Sequence, residues 1–339
     1  MIDYIVDTLK KLTAADSPTG FTDAAAKIVF EELTALGYNP SYTKKGGVLC
    51  EISGGDTDDG LFLTAHIDTL GGMVAEVKGN GRLRLTGLGG LSPQNTEAEN
   101  VTVYTRDGRT YEGTFQLINA SVHVNKEYRT AERSFDTMEV VLDEAVSSKA
   151  DTEALGIETG CIVCFDPRTR VTASGYIKSR FLDDKLSAAI LLGFAKAAKE
   201  KPLPRAVWLH FTVFEEVGHG GCASVPAEVS EMLCVDMGCV GDGLSCTERD
   251  VSICVKDSHG PYHYGMTSEL IRLAKEQNIG YAADVYPFYG SDADAALGAG
   301  HDLRHALIGA GVYASHGYER SHKEGAENTF RLICAYAYR

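Results

Sequence analysis

The chain has 339 residues, 44% of them hydrophobic and 23% charged, with a formal net charge of −15 at pH 7. That length suits one large domain plus a smaller one, and the balance is that of a folded globular protein. The acidic charge argues against nucleic acid or an anionic membrane as partner, no apolar run approaches a membrane span, and the first residues lack the pattern of a signal peptide. Nine cysteines without zinc-ribbon or knottin spacing suit a reducing cytoplasm, and the CxxC of "CIVC" (Cys161, Cys164) reads as structural within a β-type run.

In chain order, residues 2–14 and 22–36 carry apolar positions at helical spacing, the second closed by Gly37. "GGVLCEIS" and "GLFLTAHID" predict strands, the second apolar nearly to His66, as a strand buried on both faces should be. From about Met73 to Asp166 short alternating segments and glycine turns predict a small all-β unit. Beyond Phe181 helix and strand alternate again. "DDKLSAAILLGFAKAAKE" predicts a helix, "RAVWLHFTVF" and "MLCVDMG" strands, and "MTSELIRLAKEQNIG" a helix. "AADVYPF" and "RHALIGAG" predict strands before the closing helix "SHKEGAENTFRLICAYAYR". The pattern predicts an α/β domain interrupted by an inserted β domain.

In open α/β sheets functional groups collect beyond the carboxyl ends of strands. Five such places here carry Asp, Glu or His: His66 and Asp68 in "LFLTAHIDT", Asp183 and Asp184 in "FLDDK", Glu215 and Glu216 in "FTVFEEVG", Asp236 in "VDMG", and His322 in "YERSHKEG". Each has a plain structural reading; Asp183 and Asp184, for example, could cap a helix. The adjacent glutamates are the hardest to explain that way, because side-by-side buried carboxylates repel unless a positive charge is near.

Histidines and carboxylates together make a mixed N/O ligand set suited to zinc, cobalt or manganese. Two divalent ions about 3.5–4 Å apart would use a bridging carboxylate and an acid aimed at the attacking water. One glutamate of the pair could then ligate while its neighbour serves as base. In the His-x-Asp segment the Asp could fix the imidazole tautomer.

These motifs resemble the tetrahedral (TET), glutamyl or deblocking, aminopeptidases, a family of co-catalytic dimetal metallopeptidases. "SPTG", "TAHIDT", "FLDDK", "FTVFEEVGHGG", "VDMG", "GSDADA" and the terminal His-bearing helix occur in the expected order, and "ALGIETGCIVCFDP" looks like that family's β domain. The resemblance implies a mixed-sheet α/β/α catalytic domain at 1–71 and 167–339, with a barrel-like, PDZ-like β insert at 72–166. It implies two divalent ions per subunit (zinc, or cobalt or manganese), a cytoplasmic location, small peptides as substrates, and dimers building a dodecamer through the insert. His66 would bind one metal and His322 the other, Asp183 would bridge them, and Glu216 and Asp236 would complete the shells. Glu215 would be the base, and Asp68 would orient His66.

The chain departs from the family pattern at "YASHGYERSHKEG", which leaves His316 and His322 as candidates for the last ligand; His322, just before "KEGAENT", is favoured. It also departs at Lys185, where many relatives have Arg, and at "SPQNTEAEN" in the insert. Arg304, His305, His316 and Arg320 form a basic cluster that could receive an acidic N-terminal side chain. Asp292, His316 and Arg320 are the candidate substrate-binding residues. Two other readings stand beside the aminopeptidase: a dimetal amidohydrolase cutting N-acyl or other small amides, and a non-catalytic peptide-binding or assembly protein.

Overall fold

The computed structural model describes the backbone of residues 1–339 and the side chains of all but residues 54, 56, 57 and 58. It divides into two compact units, Met1–Asp68 with Arg168–Arg339, and Thr69–Pro167.

The larger unit is built on a mixed sheet of twelve strands. At its centre Asp56–His66 lies parallel to Arg205–Thr212 on one side and to Val229–Val235 on the other, and Val229–Val235 lies parallel to Arg304–Tyr313. Alternation along the central strand explains the layers. Leu61, Leu63 and Ala65 face one core, shared with the helices Ile2–Ala14, Asp23–Ala35, Leu182–Ala198 and Lys323–Ala337. Phe62 faces the other core, with Met232, Cys234, Tyr286 and Leu307. With a period of two, Thr64 and His66 follow Phe62. His66 therefore ends a strand buried on both faces, where parallel strands present their carboxyl ends. At about 1.5–3 kcal/mol for each fully buried aliphatic or aromatic side chain, these two cores supply most of what holds the strand ends in place.

The smaller unit is a closed barrel of six strands: Gly71–Val77, Leu83–Leu88, Met138–Leu142, Thr110–Leu117, Glu99–Tyr104 and Ile162–Phe165. Val74, Leu85, Val103, Phe115, Val140 and Phe165 fill it, with the Phe115 and Phe165 rings edge to face at 5.7 Å. Closure removes the unpaired edges that an open sheet this small would expose. Its buried Glu139 is paired by Lys78 and Arg82, as a buried charge requires. Cys161 and Cys164 are buried and not joined in a disulfide.

Elements that escape the periodicity reading include the strands Tyr176–Ser179 and Val251–Lys256 and the helices Lys149–Ala154 and Asp292–Gly298, each helix opened by a Ser/Asp capping box. Among the described residues no helix is long and apolar enough to cross a membrane.

Candidate active site

Both acid pairs are set up in the same way. Phe181 precedes Leu182-Asp183-Asp184 with φ 66°, and Phe214 precedes Glu215-Glu216 with φ 68°. A bulky residue in the left-handed region is rare, costs about 1–3 kcal/mol, and is tolerated where the surroundings fix it. In each case the turn lifts the carboxylates out of the neighbouring regular element. Asp183 and Asp184 have non-helical backbones within the segment Leu182–Ala198, joined by a cis peptide bond. Glu215 and Glu216 form a single 3-10 turn that ends at left-handed Gly218.

Four of the five strand-end sites converge. His66 Nε2 lies 3.0 Å from Asp183 Oδ1 and 3.7 Å from Glu215 Oε2. His66, Glu215 and Asp236 can offer ligand atoms within 4.8 Å of one another, and so can His66, Asp183 and Glu216. Asp68 divides its work differently from the sequence expectation. Its backbone carbonyl, 2.9 Å from His66 Nδ1, faces the imidazole, while its carboxylate accepts the backbone N–H groups of Glu215 (3.1 Å) and Glu216 (3.4 Å). Asp68 Oδ1 is 3.7 Å from His66 Nδ1. The "SPTG" segment supports this corner from below: Thr19 donates to Asp68 Oδ2 and Ser17 to the Ile67 carbonyl.

The fifth residue is elsewhere. His322 caps the helix Lys323–Ala337: its Nδ1 accepts the Glu324 N–H, its Nε2 lies 2.9 Å from the Ser174 carbonyl, and its ring packs edge-on to Tyr176. Both ring nitrogens are thereby spent on local structure. His316 stands in the cluster instead, its Nε2 3.4 Å from Asp183 Oδ2 and 3.7 Å from Glu216 Oε2. Thus Asp183 reaches His66 with one oxygen and His316 with the other. His316 is left-handed (φ 59°), and its N–H donates to Glu319, which also accepts the Asp183 N–H. Glu319 was not among the residues singled out in the sequence; its spacing of three from His316 is the signal that could have pointed to it.

The electrostatics are those of acids crowded together. Burial, reinforced by the charge of Asp183, pushes Asp236 up to about 7 and Glu319 up to about 8. Burial likewise pushes Asp184, Glu215 and Glu216 well above the carboxylate range. Asp183 moves down instead, since its bonds to His316 and His66 outweigh burial. His316, bonded to Asp183, rises to about 10. Glu216 Oε1 and Asp184 Oδ1 are buried without a hydrogen-bond partner among the described residues. Six crowded carboxylates and two imidazoles need positive charge, and carboxylate oxygens beside imidazole nitrogens are the donors that divalent ions of the zinc–manganese group accept. The residues fit a metal centre.

A cavity of about 530 Å³ opens onto Asp183, Glu215, Glu216, Asp236 and His316, with Phe288, Tyr289, His259 and Asp294 on its walls. The remaining candidates lie apart from it. Arg304, at the start of its strand, pairs with Asp59 and Glu231; Arg320 stacks on Tyr176 and bonds Glu248; His305 packs on Tyr262. Asp292 is buried under the glutamate turn and accepts the Thr212 hydroxyl.

The chain is similar to several known proteins. YhfE of Bacillus subtilis (strain 168) is 43% identical over 333 residues, covering 98% of this chain and 96% of the relative. The glutamyl aminopeptidase of Lactococcus lactis subsp. cremoris (strain MG1363) is 24% identical over 64% of this chain and 61% of its own. Among solved structures, an aminopeptidase from Desulfurococcus kamchatkensis superposes with TM-score 0.88 at 22% identity, covering 99% of this chain and 95% of that one. A Pyrococcus horikoshii TET1 peptidase, described as assembling into a tetrahedron or a large octahedral shell, superposes with TM-score 0.86 at 20% identity over 99% of both chains. At those identities the structures speak for the fold. The family profile of the M42 glutamyl aminopeptidases matches residues 46–332, and the chain belongs to that family of metal-dependent aminopeptidases.

Proposed function

We propose that this aminopeptidase works through two divalent ions, with His66, Asp183 and Asp236 toward one, and Asp183, Glu216 and His316 toward the other. The observation that carries the reading is the Asp183 carboxylate, which faces an imidazole on each side. Zinc is the preferred occupant by donor type, with cobalt or manganese as substitutes. When bound, the ions supply Lewis acidity at the scissile carbonyl and a more acidic attacking water.

The protein's own residues do the rest. Glu215, held by Asp68 through its N–H, takes a proton from the attacking water and passes it to the leaving amine. Asp68 fixes the turn and its carbonyl faces the imidazole nitrogen turned away from Asp183, so Nε2 is free to act as a ligand. The cavity admits the free amino end of a short peptide. Apart from His316, which is proposed to hold an ion, its walls carry His259 as their basic group and no lysine or arginine among the described residues, so any preference for an N-terminal Glu or Asp would rest on the His259 imidazole. An aminoacyl-p-nitroanilide panel tests this: Leu is expected to be cleaved at least as well as Glu, and a strong Glu preference would contradict it.

Glu215→Gln is expected to retain its ions and lower kcat by about 10²–10⁴-fold, the range of a lost general base. Turnover near the parent's would remove Glu215 from that role. Cleavage of N-acetylated substrates alone would favour the amidohydrolase reading. Self-assembly is proposed to run through the barrel unit, where Ile118, Val122 and Val124 stand exposed.

A further inference from the structure

Asp292 has no part in the chemistry above, yet it is 1% exposed and its Oδ1 is buried with no hydrogen-bond partner among the described residues. Such an oxygen is costly unless its surroundings use it. Its neighbour is Gly220: a side chain there would come within 2.0 Å of Asp292 Oδ1 and 3.1 Å of the Glu215 Cα. Gly220 is thus a spacer between the Asp292 carboxylate and the backbone of the proposed base. Gly221 is pressed equally close to the Asp292 carbonyl. The other carboxylate oxygen of Asp292 is held by Thr212, which pairs with His66 across the parallel strands.

The same loop is also gripped by a cation. Lys45 projects from the turn Thr43–Gly47, which is closed by the Thr43 N–H to the Gly47 carbonyl and leads into the strand Val48–Gly54. Its ammonium donates to the carbonyls of His219 and, at 2.9 Å, Gly220. It is near enough to Asp292 for its charge to act on that carboxylate.

We propose that Lys45 and Asp292 are positioning residues for the aminopeptidase reaction, together forming a clamp on Gly220 that fixes the aim of Glu215. The proposal rests on the aminopeptidase reading for its kinetic consequence and on geometry alone for the clamp. Neither residue touches substrate. Each acts through the glycine, so its loss lets the glutamate turn drift, and a drift of about 1 Å can cost about 10²-fold in rate.

The test uses metal-loaded full-length protein. Lys45→Met and Asp292→Asn are compared with the parent, with Lys45→Arg as rescue and the neighbouring exposed Lys44→Met as charge control. Amide hydrogen exchange over residues 215–221 is read beside kcat, KM and ion content. The clamp requires at least tenfold faster exchange in Lys45→Met, a kcat at least tenfold lower with KM within twofold, unchanged ion content, and recovery in Lys45→Arg. Unchanged exchange overturns the clamp whatever the activity. A kcat within twofold of the parent's, or one that falls only in step with lost ions, overturns its positioning role. Faster exchange in a protein whose parent cleaves no free-amine peptide would uphold the clamp and remove the aminopeptidase chemistry.

Discussion

His316 and Glu215 are separated by a hundred residues of chain, yet one stands beside Asp183 and the other beside its partner His66. The central carboxylate is held low by two imidazoles, and the acids around it are held high by burial and by one another. That imbalance gives a pH signature. In the ion-free protein His66, His316, Asp236 and Glu319 all have raised proton affinities. Between about pH 6.5 and 8 the native state then binds more protons than the unfolded chain, so its stability falls as pH rises through about 7 to 8. Buried His210, pushed down to about 3 by burial, acts with the opposite sign but only below the ordinary histidine range. Melting of chelated protein is expected to shift to lower temperature across that window, and the increment gained on adding zinc to grow. A flat or rising Tm for chelated protein would contradict the placement of these groups.

At the level of elements, the site is a set of strand ends and sharp turns held by two cores. Leu63, fully buried in the middle of the central strand, is expected on truncation to Ala to cost about 2–5 kcal/mol in denaturant unfolding. Gly220→Ala is expected to be folded but slow, since its Cβ overlaps the Asp292 carboxylate; undiminished kcat would show that the loop has room to give. The sequence made the strand ends legible because period-two burial up to His66, and the acids at the ends of the flanking strands, are local patterns. It did not separate His316 from His322. A histidine just ahead of "KEGAENT" reads as a ligand at a helix start, whereas His322 spends both nitrogens on Glu324 and Ser174, and that is visible only once strand Tyr176–Ser179 pairs with Glu319–His322. The roles of Asp68 and Asp292 were illegible for the same reason: their partners lie far along the chain, and a carboxylate that accepts two backbone N–H groups has the same letter as one that orients an imidazole.

For the molecule as a whole, the converging His and carboxylate groups all lie in the α/β unit, and the exposed Ile118, Val122 and Val124 lie in the barrel unit. The change from helix–strand alternation to short glycine-punctuated strands marked that division in the sequence, although the Lys149–Ala154 helix within the barrel unit was not visible in it. If the exposed apolar side chains of the barrel mediate assembly, Val122→Lys with Val124→Lys should give a smaller particle by light scattering with activity per chain retained; an unchanged particle mass would place the contacts elsewhere. The claim on which the rest depends is the pairing of His66 and His316 across Asp183. It is tested most directly by counting divalent ions per chain, by plasma mass spectrometry, in protein purified without chelator. About two ions are expected in the parent and in His322→Ala, and about one in His316→Ala. Loss of an ion from His322→Ala with two retained in His316→Ala would contradict it.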